Sequence, residues 1–291
     1  MYRDSGRKWY KKGKALLEDI QSTDLPGEQV AVWYIGQCGF VLKSKSTIIY
    51  IDPVLNDICD ERGNTVRLYE APYKPGNVTA NYVFCTHGHI DHMAVETIKG
   101  ISSNNPQVKI IVPGACKDIL VAEEIAHEKI IEAAEEKEIN LSGIQMIPFS
   151  TAHPVHSVGE EGKDKNLAYY IVCGQVSFLH MGDTYLTDHL VDRLKSCTDP
   201  DVLMVPINGT DFYLERQDII GNMTAREAAK LSKELGADLT IPMHFDMVEG
   251  NTVNPLHFVE ELWQVDSAMK FSIPALGERI LIMNKAGRTK K

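Results

Sequence analysis

The segment that most restricts what this chain can fold into is HGHIDH at residues 87–92, which holds four potential metal ligands within six residues. It follows NYVFCT, a predicted strand. In an extended segment residues i and i+2 point to the same side, so His87 and His89 can face one ion. Asp91 and His92 would diverge on a strand, but a turn into a helix there lets both reach a second ion. A solvated loop of histidines is the alternative, which the complete HxHxDH pattern disfavours.

Two metal ions need further donors, because ions bound through imidazole and carboxylate take about four to six ligands each. Three candidates follow predicted strands later in the chain. His153 follows IQMIPF, Asp183 follows VSFLH, and His244 ends the strand LTIPM. Open α/β sheets place functional side chains at the carboxyl ends of strands. Taken alone, each of the three residues could equally well have a purely structural role instead of binding a metal. Their shared placement at strand ends predicts that they belong to one site.

Strand-like and helix-like segments alternate along the chain, which is typical of an α/β fold. Residues 4 to about 20 predict an amphipathic surface helix, and residues 53–80, rich in polar groups and proline, predict an irregular excursion that overhangs a site. We therefore predict two sheets covered by helices, with an N-terminal helical extension at 1–28 packed on a single catalytic domain at 29–291. Further predicted elements are helices at 115–125, 187–196, 225–235 and 255–265 and strands at 202–206, 238–243 and 279–283.

Charge and composition restrict the partners. The net charge of -10 gives a surface that repels phosphate backbones, so nucleic acid is not an expected partner. The six cysteines are scattered without a CxxC pair, which predicts reduced thiols rather than a disulfide framework. The N-terminal segment is charged, and no apolar run is long enough to span a bilayer. We therefore expect a cytoplasmic protein without a membrane partner.

The chain contains HGHIDH first, then His153, then the GDT that contains Asp183, and then a late His244. This order of motifs resembles that of the metallo-β-lactamase superfamily. More narrowly, AVWYIGQCGFVLKS, HMGDTYLTD and the stretch from Asn222-Met-Thr to IPMHFDM resemble the L-ascorbate-6-phosphate lactonase family. The similarity spans roughly residues 29–265. The chain departs from that family in two ways: His153 aligns with an aspartate, and much of the insertion before the histidine cluster is missing.

The resemblance implies a four-layer αββα sandwich with its site at one edge between the two sheets. It also implies a symmetric homo-oligomer and two divalent metal ions. The histidine at 153 favours zinc, and manganese is the alternative. Carried over position by position, the first ion would be held by His87, His89 and His153, the second by Asp91, His92 and His244, and Asp183 would bridge both.

Two ions that share a water lower its pKa towards about 7 and so supply hydroxide at neutral pH. We expect this hydroxide to attack the carbonyl of a lactone, with Asp91 orienting the water and passing its proton on. Around the site, His180 either supports the ligands or packs in the core, and Asp52 either braces a ligand histidine or caps its own loop. Asn208 and Tyr213 either line the substrate pocket or belong to a turn.

The leading hypothesis is a dinuclear metal-dependent hydrolase, a lactonase acting on a small, anionic, sugar-derived substrate. A phosphodiesterase or ribonuclease of the same superfamily is the first alternative, which the negative charge and the absence of a basic nucleic-acid-clamping domain disfavour. A non-catalytic metal-binding protein is the second. Such a protein is disfavoured because candidates exist for all seven ligand positions.

Overall fold

The computed structural model describes residues 6–60, 62–153, 158–216, 219 and 221–283. None of the helices in these residues is both long and apolar enough to cross a membrane. The helices are α1 (Gly13–Ser22), α2 (Val95–Asn104), α3 (Lys117–Ala122), α4 (Asp188–Cys197), α5 (Phe212–Glu215), α6 (Ala225–Leu235) and α7 (Leu256–Val265). The strands are β1 (Val30–Gly36), β2 (Gly39–Ser44), β3 (Thr47–Ile51), β4 (Tyr82–Phe84), β5 (Lys109–Pro113), β6 (Ile130–Ala133), β7 (Ile139–Leu141), β8 (Ile144–Ser150), β9 (Leu167–Cys173), β10 (Val176–His180), β11 (Val202–Pro206), β12 (Leu239–Met243) and β13 (Arg279–Ile282).

The strands form two mixed sheets. The first has seven strands in the order β13-β1-β2-β3-β4-β5-β6, and the second has six in the order β12-β11-β10-β9-β8-β7. In the first sheet the neighbours from β3 to β6 are parallel, and the pairs on the other side of β3 are antiparallel. In the second, β10, β11 and β12 run parallel, while β7 to β10 pair as antiparallel neighbours.

The two faces of the first sheet enter different apolar clusters, as strand β1 shows. Every residue of β1 is buried, because both faces of a covered sheet are shielded from water. Val32 belongs to the cluster that lies between the sheets and continues to α4, α6 and α7, whereas Trp33 belongs to the outer cluster that includes α1 and α2. Helices therefore cover the outer face of each sheet, and the predicted four-layer αββα sandwich is confirmed.

The N-terminal helix begins later than the sequence predicted. Helix α1 starts at Gly13 rather than near residue 4, because the preceding chain runs beside other segments and Trp9 forms a bridge with Leu276. Its last turn is held by the Lys43 ammonium, which donates to the carbonyl oxygens of Ile20 at 2.9 Å and of the following residue at 2.6 Å. A cation at a helix C-terminus satisfies carbonyls that lack partners within the helix.

The direction of the strands brings distant segments to one edge. Strand β9 is antiparallel to both β8 and β10, and β10 is parallel to β11 and β12, so β8, β10 and β12 all run the same way. The segments that follow these three strands therefore emerge at the same edge of the second sheet. They carry His153, Asp183 and His244, and the HGHIDH segment leaves β4 in the first sheet to meet them.

Candidate metal centre

The first group of donor atoms lies around the carboxylate of Asp183. The Oδ2 atom of Asp183 is 3.9 Å from His87 Nε2 and 3.4 Å from His153 Nε2. His87 Nε2 is in turn 2.9 Å from His89 Nδ1. One potential ligand atom from each of these four residues lies within 4.8 Å of all the others. Ligand bonds of about 2.0–2.2 Å place the donors of one ion at such separations, so the group suits a single cation.

The second group shares the same aspartate. Asp91, His92 and His244 offer ligand atoms within 4.8 Å of one another. Asp183 reaches this group as well, because its Oδ1 is 3.2 Å from His92 Nε2 and its Oδ2 is 3.2 Å from His244 Nε2. The structure therefore brings together all seven residues that the sequence singled out as ligands, with Asp183 between the two groups.

The HGHIDH segment changes direction through a tight turn rather than by entering a helix directly. The backbone N–H groups of His92 and Met93 both donate to the carbonyl oxygen of His89, at 3.0 and 2.7 Å. Helix α2 begins only at Val95. The turn lets Asp91 and His92 leave the direction of the segment after β4 that carries His87 and His89.

Two left-handed backbone positions aim ligands from the second sheet. Gly182 has a φ of 57°, and a Cβ at this position would lie 2.8 Å from the Cβ of Thr86. Only glycine combines this conformation with such close packing, and Asp183 follows it directly. His244 also has a φ of 57°, and its N–H donates to the carbonyl oxygen of Gln37 at 2.9 Å.

The electrostatics of the site set carboxylates against imidazoles. Burial by itself would raise the pKa of Asp183, but His244 and His92 outweigh it and hold the pKa of this carboxyl well below its usual range. Burial lowers the pKa of His153 to about 4. For His244, burial also acts downward, but Asp183 and Asp91 outweigh it and raise its pKa to about 9. The carboxylates of Asp183 and Asp91 thus stabilise positive charge at the centre.

The donor set fits divalent cations. Asp91 and Asp183 have ion-pair partners only among histidines, with no lysine or arginine of the described residues within 4.0 Å of either carboxylate. Buried charges are costly unless they are paired or bind a metal. His92 Nε2 is buried and faces the carboxylates of Asp183 and Asp91 at 3.2 and 3.6 Å without forming a well-oriented hydrogen bond in the described part of the chain, which leaves its lone pair open to an ion. Imidazole and carboxylate donors suit zinc, manganese and iron.

Asp52 lies behind the ligand His92, where the sequence analysis considered a bracing role. It is fully buried, and its Oδ2 is 2.8 Å from His92 Nδ1. The same carboxylate accepts hydrogen bonds from the backbone N–H and the hydroxyl of Thr86, at 2.8 and 2.7 Å. A carboxylate on one ring nitrogen directs the lone pair of the other nitrogen towards a metal.

The other predicted neighbours differ in how they relate to the ligands. His180 is buried, with Nε2 2.9 Å from the Cys38 carbonyl oxygen and Nδ1 accepting from the N–H of Gly182 at 3.2 Å, so it supports the turn before Asp183. Asn208 is buried between the side chains of Asn222 and Asn251. Its amide thus forms hydrogen bonds within the protein, and the pocket-lining role considered for Asn208 stays a prediction.

Tyr213 belongs to the short helix α5, and 71% of its surface is exposed. Asp211 caps the start of the helix, because its carboxylate accepts the backbone N–H groups of Tyr213 and Leu214. The phenol is therefore at the surface, and the pocket-lining role considered for it stays a prediction.

The sequence analysis missed Gln37, which lies in the turn between β1 and β2. Its Nε2 is 2.7 Å from Asp91 Oδ2 and 3.0 Å from His244 Nε2, and its Oε1 is buried with no partner in the described residues. Gln37 has a φ of 57°, and the carboxylate of Asp246 holds its N–H at 3.1 Å. A polar residue between two apolar, strand-like runs, in IGQCGF, was the available signal.

The carboxylate of Asp246 is the centre of a buried network behind Gln37. It accepts the Tyr69 hydroxyl at 2.9 Å and the Arg7 guanidinium at 3.0 Å. Arg7 also lies over the ring of Phe245, with 5.2 Å between its Cζ and the ring centroid. The segment before α1 thus contributes to the support of the centre.

Cys38 also approaches the centre, because its Sγ can share a cluster with His92 and Asp183. Burial, together with the neighbouring carboxylates, raises the pKa of this thiol well above its usual value. Metals bind the thiolate rather than the thiol, so Cys38 is a weak ligand beside the histidines. Its Sγ is 3.9 Å from Asp183 Oδ1, to which the thiol can donate.

Comparison with known proteins agrees with this geometry. Residues 31–244 match the family described as the beta-lactamase superfamily domain. A UPF0173 metal-dependent hydrolase from Archaeoglobus fulgidus is 27% identical over 229 residues, which cover 74% of this chain and 83% of the relative. A UPF0173 metal-dependent hydrolase from Opitutus terrae is 28% identical over 259 residues, covering 85% of this chain and 97% of the relative.

The fold has solved counterparts as well. The structure of Igni18, described as a novel metallo hydrolase from Ignicoccus hospitalis, superposes with a TM-score of 0.67 at 18% sequence identity. The superposition covers 88% of this chain and 100% of Igni18. At this identity the comparison shows a shared fold and carries no information on substrate.

Proposed function

Because this chain belongs to the beta-lactamase superfamily, we propose that it is a metal-dependent hydrolase with two divalent ions, zinc in preference to manganese. The observation that carries the proposal is the position of Asp183, whose two oxygens reach ligand atoms of both donor groups. His87, His89 and His153 would hold one ion, and Asp91, His92 and His244 the other. Five of these six side chains are imidazoles, which zinc binds well.

Two bound ions would lower the pKa of a shared water towards about 7 and polarise a substrate carbonyl. We assign Asp91 as the group that would accept the proton of the attacking water. Support comes from its side chain, which is 18% exposed, whereas the other carboxylate, Asp183, is enclosed by histidines. Gln37 donates to Asp91 Oδ2 and holds it in position. A base must lie within hydrogen-bond reach of the proton that it accepts, so the proposal requires the attacking water to lie beside the Asp91 carboxylate.

We propose a lactone or a related carboxylic ester as the substrate, small, anionic and derived from a sugar. Support comes from the motifs IGQCGF, GDT and IPMHFDM, which resemble those of the lactonase family. The relatives named metal-dependent hydrolases support hydrolysis as the reaction class. A net charge of -10 opposes long polyanionic substrates such as nucleic acid.

The test is turnover by protein reconstituted separately with zinc and with manganese. The substrates are a panel of sugar lactones and their phosphate esters, p-nitrophenyl acetate as a simple ester, and bis(p-nitrophenyl) phosphate as a phosphodiester. We expect lactone turnover that chelator abolishes and added metal restores. Metal content per chain is measured on the same samples.

Two results would contradict the proposal. Turnover confined to the phosphodiester would replace the lactonase by a phosphodiesterase. Protein that holds two ions per chain yet hydrolyses no member of the panel would favour a metal-binding protein without hydrolase activity.

A further inference from the structure

A cavity of about 250 Å³ borders the first donor group. Its wall includes His87, His89 and His153 together with Lys165 and Asn166. Ligand pockets usually enclose about 300–1,000 Å³, so this one admits only a small molecule or one end of a larger one. A cationic side chain thus lies beside the metal ligands.

The charge of Lys165 lacks an ionic partner. No carboxylate of the described residues lies within 4.0 Å of its ammonium, whereas Lys163, two residues earlier, is 3.4 Å from Glu161 Oε2. Lys117 likewise forms an ion pair with Glu132. In a protein with a net charge of -10, an unpaired cation at the mouth of a site attracts anions locally against the overall field.

The backbone immediately after Lys165 is fixed to the segments that carry the ligands. The carbonyl oxygen of Asn166 accepts the N–H of Thr151 at 3.1 Å, two residues before His153. The N–H of Leu167 donates to the carbonyl oxygen of Thr86 at 2.9 Å, one residue before His87. The backbone at Lys165 is therefore held in place relative to the first donor group. A ligand would have to order only the lysine side chain.

The rest of the cavity wall is apolar and open. Ala115, Cys116 and Ile119 contribute to it. Gly88 lies between two ligands, and a Cβ there would come within 3.4 Å of Cys116 Sγ and 3.8 Å of Ile119 Cδ1. The absence of a side chain at Gly88 keeps this floor clear. The wall suits a short carbon skeleton with one charged end.

A second cavity of about 580 Å³ shares Ala115 and Lys165 with the first. Its wall also contains Asp118 and Glu161, and its other lysine, Lys163, is already paired with Glu161. Because Lys163 and Glu161 offset each other, the remaining carboxylate, Asp118, opposes an anion there. The charge of Lys165 therefore serves an anion best in the smaller cavity, beside the histidines.

We propose that Lys165 is a specificity-determining residue that binds the phosphate or carboxylate of the substrate in the cavity of 250 Å³, while the bond to be hydrolysed lies at the first donor group. The inference rests on the proposed function for the location of the reacting bond. Lysine binds oxyanions as a point charge on a flexible stem. The proposal also sets the orientation of the substrate, because its anionic end would lie beside His89 and His153.

The experiment compares three lactones on the zinc-loaded enzyme: glucono-1,5-lactone as the neutral probe, its 6-phosphate, and glucaro-1,4-lactone as the carboxylate probe. The measured quantity is the ratio of kcat/KM for each anionic lactone to that for the neutral one. Lys165→Met keeps the aliphatic stem and removes the charge, Lys165→Arg keeps the charge, and Lys163→Met is the matched control.

We expect Lys165→Met to lower the ratio about 10- to 100-fold, the range for losing a hydrogen bond to a charged group. The lower ratio should result from a higher KM for the anionic lactones. The ratio for Lys165→Arg should stay within about threefold of the wild-type ratio. Lys163→Met should leave the ratio unchanged. The probe that loses more identifies the preferred anion. An unchanged ratio in Lys165→Met, or an equal loss in Lys163→Met, would overturn the assignment.

Direct binding separates this proposal from the proposed function. If the enzyme hydrolyses none of the lactones, calorimetry with 6-phosphogluconate and gluconate still measures the preference for the phosphate. The affinity gap between the two ligands should narrow about tenfold or more in Lys165→Met if Lys165 binds the anion. An identical gap in wild type and Lys165→Met would refute the anion subsite.

Discussion

Replacing Asp52 by asparagine is a sharp test of how the second donor group is held. Asp52 does not reach the predicted ion, but it accepts three hydrogen bonds at 2.7–2.8 Å from Thr86 and His92. Asparagine has the same shape, so Asp52→Asn changes hydrogen-bond chemistry without creating a cavity. One of its two terminal atoms is a donor, whereas both oxygens of the carboxylate are acceptors.

The expected effect follows from the tautomer of His92. The asparagine oxygen can still accept the Thr86 N–H, which turns the amide NH₂ towards His92 Nδ1. That nitrogen must then accept a hydrogen bond, so the ring proton moves to Nε2, the atom that would bind the metal. Changes of this kind weaken metal affinity about 10- to 100-fold, or about 1.4–2.8 kcal/mol at 1.4 kcal/mol per tenfold.

The assay is metal affinity by competition with a chromophoric chelator, together with thermal unfolding of the metal-free protein. Asp201→Asn is the matched control. Asp201 is also buried and accepts a backbone N–H and a hydroxyl, both from Ser177, at 2.7 and 3.1 Å. It lies at the start of β11, and Ser177 is near the start of β10, at the end of these strands away from the site.

Both variants should lose some stability in the metal-free form, but only Asp52→Asn should lose metal affinity. If Asp52→Asn bound zinc as tightly as wild type, the bracing role of Asp52 would be refuted. Equal losses of affinity in both variants would show a general effect of altered folding rather than control of the His92 tautomer.

Four further predictions concern the centre, the exposed face of α4 and the N-terminal helix. Asp183→Ala should lower bound metal below two ions per chain by elemental analysis and lower turnover by more than about 100-fold, since lesser changes behind the ligands already cost about 10- to 100-fold. His189→Ala, on the exposed face of α4, should leave both values unchanged, and loss of metal there would refute the ligand assignment. In Gln37→Asn, asparagine can adopt the left-handed backbone conformation, but its side chain is too short to reach Asp91. The kcat/KM should therefore fall about tenfold while both ions are retained. Wild-type activity in this variant would show that Gln37 has no role at the site. Asp19 has a lowered pKa: burial acts upward, but hydrogen bonds from Trp33 and Lys11 outweigh it. The ionised carboxylate should therefore stabilise the fold fully above its ordinary pKa of about 3.9, and this stabilisation should disappear as pH falls through the lower folded-state pKa. In urea unfolding, the difference in stability between wild type and Asp19→Asn should shrink below pH 4. A difference that stays constant with pH would exclude ionic docking of α1.

Sequence reasoning succeeded where the information is local. The predicted strand at 202–206 and the predicted helix at 225–235 coincide with β11 and α6, and a capping box at Thr224 and Glu227 starts α6. Helix α1 was misplaced at its start, because what stops it is a contact between Trp9 and Leu276, distant in sequence. No periodicity near residue 9 reports such a contact.

For the site, the sequence by itself determined the kinds of ligand and their place at strand ends, because alternation and motif spacing are properties of a few neighbouring residues. Only the tertiary structure decided which distant groups meet. Gln37 and His244 are 207 positions apart in the chain yet lie 3.0 Å apart, and Lys165 lines the cavity beside the first donor group from a loop with no sequence pattern of its own. Such contacts depend on the direction and packing of two whole sheets, so no local stretch of residues encodes them.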